Sequence, residues 1–267
     1  EYPYHPAACY GGWGQALDLY LDGSVTVCNH AHNGRSTETF RNEGHFDLIQ
    51  KQLRPGDYVV LQFGHNDQKH PHLQAYNGYP ENLRRFIAEI RAKKALPILA
   101  TPIARNTWTE QNGTLVYNDL LHDHAQACIA LGKELNVPVL DLHKSAMDEI
   151  IRLGRDASKI YYHQGDWTHT NDYGAVRAAG YAAAELRFLG NAFPEYLPLI
   201  QSVSAAIKPW KPEAAPLLEK PARLADIKDP NGAENGTAAQ DHQAEKDGGD
   251  ALARLLTVVQ NARGQNS

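Results

Sequence analysis

An almost uninterrupted apolar run at residues 58–63 is the feature that most constrains the fold. Such a run, without regular polar alternation, is typical of a strand buried on both faces of a parallel sheet. Further strand-like segments lie at residues 24–29, 96–100 and 137–142. Segments with helical periodicity alternate with these strands, at residues 11–21, 38–53, 80–95, 116–135, 144–153 and 173–189. This alternation predicts a three-layer α/β fold, with helices on both faces of a central parallel sheet.

The composition changes near residue 208. The whole chain has 267 residues, of which 42% are hydrophobic, and this is enough for one full α/β core. Residues 208–249 are instead rich in Pro, Ala, Glu, Lys and Asp, which predicts a polar linker. Residues 250–263 have apolar residues at helical spacing. We therefore expect one domain over residues 1–207 and a tail over 208–267 that contains a terminal helix.

Charge and composition exclude several classes of partner. The net charge is −5 and the basic residues do not cluster, so no nucleic-acid partner is expected. No apolar run approaches the roughly 18 residues of a membrane-spanning helix, so no membrane partner is expected. The three cysteines, Cys9, Cys28 and Cys128, do not have the spacing of a metal site. Three buried thiols are favoured over a single Cys9–Cys28 bridge.

Two short motifs carry residues suited to acyl-transfer chemistry. Asp166 and His169 lie three residues apart in the motif Asp166-Trp167-Thr168-His169. An Asp at this spacing can fix the tautomer of the imidazole, and the other ring nitrogen can then act as a general base. Asn66 follows the apolar strand at 58–63, where its side-chain amide can stabilise an oxyanion. Both motifs are expected at the carboxyl edge of the sheet.

In their order and spacing, four segments resemble the sequence blocks of the SGNH (GDSL-type) hydrolases, and among them the rhamnogalacturonan acetylesterase group. The segments are Gly12-Trp13-Gly14-Gln15, Asn33-Gly34-Arg35-Ser36, Gly64-His65-Asn66-Asp67 and Asp166-Trp167-Thr168-His169. The resemblance extends over about residues 1–189. It implies a flavodoxin-like three-layer αβα fold.

The resemblance also implies roles for individual residues. His169 would be the catalytic base and Asp166 the acid that orients it. The Gly34 N–H and the Asn66 side chain would bind the oxyanion. A second group of residues would orient these groups or contact the substrate rather than react, namely Arg35, His65, Asp67 and Trp167. The family's chemistry needs no metal and no cofactor.

The chain departs from the family pattern at the nucleophile. The family's first block is an apolar strand that ends in Gly-Asp-Ser, and its serine attacks the substrate. None of the seven serines of this chain lies in such a block. Asp22-Gly23-Ser24 precedes a strand and fits a turn, and Ser36 belongs to the second block. We therefore expect that the first strand is missing from this chain, that the polypeptide extends upstream of Glu1 or another segment supplies the strand, and that the chain as given is inactive.

The residues also allow a metal site. His163, Asp166 and His169 form a His-x-x-Asp-x-x-His series that can be drawn as three metal ligands. This arrangement requires three side chains to converge on one point. The hydrolase interpretation requires only Asp166 and His169 to meet and is therefore favoured.

The resemblance implies a carbohydrate esterase that removes acetyl groups from pectin, in particular from rhamnogalacturonan. Its partner would be an acetylated polysaccharide or oligosaccharide, and its location would be extracellular or periplasmic. Two alternatives remain open from the sequence. One is a non-catalytic carbohydrate-binding or relic domain that has lost its nucleophile. The other is a lipase or thioesterase of the same broad family.

Overall fold

The computed structural model describes residues 10–204 and 254–260. The strands of the main sheet are β1 (Val25–Asn29), β2 (Tyr58–Gln62), β3 (Leu96–Ala100), β6 (Val139–Leu140) and β7 (Arg254–Gln260), and a separate hairpin contains β4 (Trp108–Gln111) and β5 (Thr114–Tyr117). The order of the main sheet is β1-β7-β2-β3-β6. The linker predicted at 208–249 and the domain boundary at 207 lie outside the described residues.

The helices alternate with the strands of the main sheet. They are α1 (Trp13–Ala16), α2 (Thr37–Asn42), α3 (His45–Gln52), α4 (Gly78–Ala92), α5 (His122–Leu135), α6 (Leu142–Leu153), α7 (Arg155–Ser158), α8 (Asp172–Leu189) and α9 (Leu197–Ser202). Short 3-10 helices lie at Leu17–Tyr20, Asp67–Lys69, Pro71–Leu73, Lys159–Tyr161, Gly190–Ala192 and Pro194–Tyr196. Among the described residues, none of the helices has the length and apolar character that crossing a membrane requires.

Strand β2 separates two hydrophobic cores and so defines the three layers. Tyr58 and Val60 belong to a core that includes residues of α1, α6 and α8. Val59 and Leu61 point the other way, into a core with α4 and α5. This alternation follows from the two-residue period of a strand, and both faces are apolar because helices cover both. The predicted three-layer α/β fold is confirmed.

Strand β7 corrects the prediction for the end of the chain. A helix was expected at 250–263, but Arg254–Gln260 is a strand that pairs antiparallel with both β1 and β2. Unpaired backbone groups in a buried sheet cost about 1–3 kcal/mol each, so two facing strand edges favour a strand over a docked helix. The segment also contains Thr257, Val258 and Val259, which are β-branched. The sheet is therefore mixed, and β1, β2, β3 and β6 all run in one direction.

Other boundaries also differ from the sequence prediction. The helix predicted at 38–53 is divided by Gly44, which has a φ of 78°. The helix predicted at 116–135 begins only at His122, because Thr114–Tyr117 pairs with Trp108–Gln111. An Asn-Gly turn with positive φ at both residues, 52° and 75°, connects these two strands, as is typical of hairpins. The strand predicted at 137–142 is shortened because α6 already begins at Leu142.

Two of the three cysteines are described, and both are free thiols. Cys28 is half-buried on β1 and Cys128 is buried on α5. Cys9 lies outside the described residues, and so does the alternative of a Cys9–Cys28 bridge. Burial raises the pKa of the Cys128 thiol to about 12, so this thiol is a core group rather than a reactive one.

Candidate active site

Asp166 and His169 bond to each other in the loop that precedes α8. The Asp166 Oδ2 accepts a hydrogen bond from His169 Nδ1 at 2.5 Å. The Asp166 Oδ1 accepts from the backbone N–H of Thr168 at 2.6 Å and from that of His169 at 3.1 Å. The ring proton therefore lies on Nδ1, and Nε2 is the nitrogen suited to exchange a proton with a reacting group.

The charge of this pair is set by two opposing effects. Burial acts to raise the pKa of Asp166, whose side chain is 7% exposed. The hydrogen bond and charge of His169, together with the two backbone N–H groups, outweigh burial and hold the pKa of Asp166 below its usual value. Asp166 is thus a carboxylate at neutral pH, and it can stabilise an imidazolium at His169 during proton transfer.

Backbone hydrogen bonds fix the shape of the loop that carries the pair. The N–H of His163 donates to the carbonyl of His169 at 2.8 Å, and the N–H of Asp166 donates to that of His163 at 2.9 Å. The next residue, Thr170, is bound to Gly11 through Gly11 N–H at 2.8 Å and through its own hydroxyl at 2.6 Å. The loop is therefore closed at its base and fastened to the segment before α1.

The two oxyanion candidates meet at the carboxyl edge of the sheet. Gly34 follows β1 in the left-handed conformation, with a φ of 71°. Asn66 follows β2, is buried, and its Nδ2 donates to the carbonyl of Arg35 at 3.4 Å. In the sheet, β1 and β2 lie on either side of β7. The position that β7 occupies therefore ends, at the carboxyl edge, between the loops of Gly34 and Asn66.

Residues 103–106, which follow β3, connect the oxyanion loops with the Asp166–His169 loop. The carbonyl of Ile103 accepts a hydrogen bond from His65 Nε2 at 2.9 Å. At the other end of the segment, the N–H of Asn106 donates to the carbonyl of Trp167 at 2.8 Å. The candidate catalytic residues therefore belong to loops that are connected by hydrogen bonds.

The residues predicted to orient groups or contact substrate occupy different environments. His65 is 2% exposed and Asp67 is fully buried, so neither contacts a ligand from solvent. Arg35 forms an ion pair with Glu43 on the outer side of its loop. Trp167 is 43% exposed and is the member of this set best placed to contact a ligand.

A cleft of about 840 Å³ lies beside the Asp166 carboxylate. Its lining residues are Asn106, Thr107, Trp108, Asn118, Arg155, Lys159, Ile160, Tyr162, His163, Gln164, Gly165, Asp166, Trp167 and Asn171. His169, Gly34 and Asn66 are not among them, so the cleft flanks the candidate reaction centre. Four amide side chains, two indole rings and two cationic side chains are among the lining groups.

Asn106 was missed by the sequence analysis, although it organises this cleft. Its Nδ2 donates to the carbonyl of Arg155 at 3.0 Å, and its Oδ1 accepts from the indole of Trp108 at 2.7 Å. Asn106 is 5% exposed and its polar atoms are thus used within the protein. The only available signal was its position after a buried strand, which does not separate it from an ordinary loop residue.

The metal interpretation of the His163–Asp166–His169 series is not supported. Within residues 10–204 and 254–260, no three His, Cys, Asp or Glu side chains are grouped to hold a metal ion. The ring of His163 stacks on Tyr10 with centroids 4.3 Å apart, while Asp166 and His169 bond to each other. The ring of His163 is therefore packed on Tyr10, apart from the hydrogen bond that joins Asp166 and His169.

Several described serines have hydroxyl groups that are engaged away from His169. Ser36 is 1% exposed and caps α2 by accepting the Thr39 N–H at 3.1 Å. The hydroxyl of Ser24 donates to Asp22 in an exposed turn. Ser158 and Ser202 donate to backbone carbonyls within their own turns. None of these four serines is placed as a nucleophile for His169.

Asp67 has an unusual charge environment for a carboxylate. Burial raises its pKa from 3.8 to about 6, although the N–H and hydroxyl of Thr37 and the N–H of Gly64 act to lower it. Burial, and to a lesser extent the charges of Cys128 and Asp67, raise the pKa of Tyr79 well above its usual value, so Tyr79 stays neutral throughout this range. Ionising Asp67 therefore costs more in the folded state than in the unfolded state.

We expect this cost to appear as pH-dependent stability. Between pH 3.8 and about 6 the unfolded state loses the Asp67 proton before the folded state does. Stability is thus lost as pH rises through this range, by about 3 kcal/mol relative to Asp67→Asn. Urea unfolding of both proteins at several pH values measures this difference. A difference that does not change with pH would contradict the assigned environment.

Comparison with known proteins identifies the family of this chain. Residues 2–184 match the GDSL-like lipase/acylhydrolase family. A rhamnogalacturonan acetylesterase of Bacillus subtilis, RhgT, is 33% identical over 70% of this chain and 84% of its own length. A rhamnogalacturonan acetylesterase of Emericella nidulans is 29% identical over 61% of this chain and 74% of its own length.

The fold is also similar to a solved structure. The crystal structure of the YxiM protein of Bacillus subtilis has a TM-score of 0.61 and 30% sequence identity with this chain. The match covers 70% of this chain and 55% of YxiM. Sequence and fold thus agree on one assignment: the chain belongs to the GDSL-like lipase/acylhydrolase family.

Proposed function

We propose that the full-length protein is a carbohydrate esterase that removes acetyl groups from pectin, in particular from rhamnogalacturonan. The observation that carries this proposal is the hydrogen bond between His169 Nδ1 and Asp166 Oδ2, in loops connected to Asn66 and Gly34. The relatives named rhamnogalacturonan acetylesterase support the substrate class. The sugar-compatible lining of the cleft beside Asp166 supports it as well.

The proposed reaction proceeds through an acyl-enzyme. A serine Oγ attacks the acetyl carbonyl carbon while His169 Nε2 takes the hydroxyl proton. The carbonyl oxygen becomes an alkoxide, which the Asn66 Nδ2 and the Gly34 N–H bind. Collapse of this intermediate expels the sugar oxygen, which takes the proton from His169. Water then attacks the acetyl-serine by the same steps and releases acetate.

We propose that the serine lies upstream of residue 1, on a strand that ends between the oxyanion loops. In the family pattern this strand ends in Gly-Asp-Ser, and the position between β1 and β2 has the loops of Gly34 and Asn66 at its carboxyl edge. In this chain β7 occupies that position and runs antiparallel, with Arg254 opposite Gln62 at the same edge. The strand containing the serine would occupy this position in place of β7.

The cleft is lined by aromatic, amide and cationic side chains that suit a carbohydrate better than a lipid. Trp108 and Trp167 offer flat ring surfaces on which a sugar can pack, and Asn118 and Gln164 offer amide groups. Arg155 and Lys159 add positive charge that suits an acidic polysaccharide. A polymeric substrate of this kind implies an extracellular or periplasmic location, which we propose on that ground.

The test is acetate release by the full-length protein from acetylated rhamnogalacturonan, with acetylated xylan and a long-chain ester as alternative substrates. The proposal predicts the highest kcat/KM on rhamnogalacturonan. A preference for the long-chain ester would indicate the lipase alternative and contradict the proposal. Binding of the polysaccharide without any release of acetate would indicate a relic domain and contradict it equally.

A further inference from the structure

Asp67 bonds to both of the loops that carry the oxyanion donors. It follows Asn66 directly, has no exposed surface, and its two carboxylate oxygens bond to different loops. We propose that Asp67 is a positioning residue that sets the distance between the Gly34 N–H and the Asn66 amide. This inference rests on the proposed function, in which these two groups bind the oxyanion.

One oxygen of Asp67 holds the loop that follows β1. Its Oδ1 accepts the backbone N–H of Thr37 at 3.0 Å and the hydroxyl of Thr37 at 2.5 Å. Thr37 is the first residue of α2 and lies three residues after Gly34. A carboxylate that accepts two hydrogen bonds from one residue fixes both its position and its orientation. Thr37 is thus fixed, and Gly34 lies only three residues before it.

The other oxygen holds the loop that follows β2. The Oδ2 of Asp67 accepts the N–H of Gly64 at 3.1 Å. Gly64 has a φ of 131° and packs so closely on Pro102 that a Cβ would lie 3.1 Å from its Cγ. The backbone on both sides of Asn66 is therefore fixed, by Gly64 on one side and by Asp67 on the other.

A hydrogen bond from helix α4 orients the hydroxyl of Thr37. The Nδ2 of Asn82, on α4, donates to Thr37 Oγ1 at 3.0 Å, so this hydroxyl directs its own proton to Asp67. The Nδ2 of Asn66 donates to the carbonyl of Arg35 in the first loop over a longer distance, 3.4 Å. Within the part of the chain that the structure describes, the shorter hydrogen bonds between the two oxyanion loops are therefore those of Asp67 with Thr37.

Asp67→Asn tests the proposal, because it retains the shape of the side chain but turns an amide N–H₂ towards one of its donor partners. In the full-length protein we expect kcat for acetyl-ester hydrolysis to fall about 10- to 100-fold, because a small misplacement of reacting groups costs this much. KM is expected to change little. Thr37→Val, which removes only the hydroxyl, is expected to give a smaller fall in kcat.

Asp57→Asn is the matched control. Asp57 is also a buried aspartate beside β2, but it lies before the strand, where its Oδ2 accepts the N–H of Arg54 at 2.8 Å. We expect its kcat to equal that of the wild type. If Asp67→Asn retains full kcat, or if Asp57→Asn loses as much, the positioning role is wrong.

Amide hydrogen exchange provides a readout that does not depend on activity. In Asp67→Asn we expect faster exchange both in residues 33–37 and in residues 64–67, with no change in Asp57→Asn. Faster exchange in only one of the two loops would overturn the proposal. If the wild-type protein releases no acetate, the proposed function fails, and this exchange experiment still decides whether Asp67 fastens the two loops.

Discussion

Replacement of His169 by alanine is expected to reduce kcat for acetyl-ester hydrolysis by at least about 10³-fold. The imidazole is the group that takes the serine proton and returns it to the leaving oxygen. Its Nδ1 is bound to Asp166 at 2.5 Å, which orients the ring so that Nε2 can exchange the proton. Initial rates with an acetyl ester measure the loss.

Asp166→Asn is also expected to reduce kcat, but for a different reason. The asparagine oxygen can still accept the backbone N–H groups of Thr168 and His169, so the loop is expected to keep its shape. Its amide would face His169 Nδ1 as a donor, which favours the wrong tautomer and costs about 10⁴-fold in kcat. His122→Ala, an exposed histidine on α5, is the control and is expected to retain the wild-type rate. Equal losses in all three variants would contradict the assignment.

Replacement of Asn66 by alanine is expected to lower kcat by about 10²–10³-fold. The amide would bind the oxygen only once it is negatively charged, so KM is expected to remain close to its wild-type value. Burial of Asn66 strengthens this effect, because little water competes for the oxyanion. Steady-state kinetics separates the two parameters.

Asn42→Ala is the control for this substitution. Asn42 is an exposed residue at the end of α2, and its replacement is expected to leave both kcat and KM unchanged. If Asn66→Ala instead raises KM while kcat is retained, Asn66 binds the substrate in its ground state. That result would remove it from the oxyanion site.

The parts of the site that local sequence determines were predictable. Asp166 and His169 are three residues apart, so one turn of chain is enough to bring them into contact. Asn66 lies just after β2, whose apolar sequence identified it as a buried strand. Because parallel strands place their carboxyl ends at one edge, the meeting of the Asn66 and Gly34 loops followed from the topology.

The parts that depend on distant partners were not predictable. The apolar residues of 254–260 fit a helix as well as a strand, and the position between β1 and β2 decides in favour of the strand. The β4–β5 hairpin was missed because the end of its second strand, Val116 and Tyr117, was assigned to the helix predicted at 116–135. The hydrogen bonds between Asp67 and Thr37 join residues that are 30 positions apart in the sequence, and no local pattern indicates them.

The central claim is a Ser–His–Asp acyl-transfer mechanism, and active-site labelling tests it most directly. The full-length protein from its natural source is treated with a fluorophosphonate probe and mapped by peptide mass spectrometry. The account predicts one labelled serine, in a Gly-Asp-Ser peptide upstream of Glu1, and loss of acetate release in proportion to labelling. Labelling at Ser24 or Ser36, or acetate release that persists in a protein without any labelled serine, would contradict it.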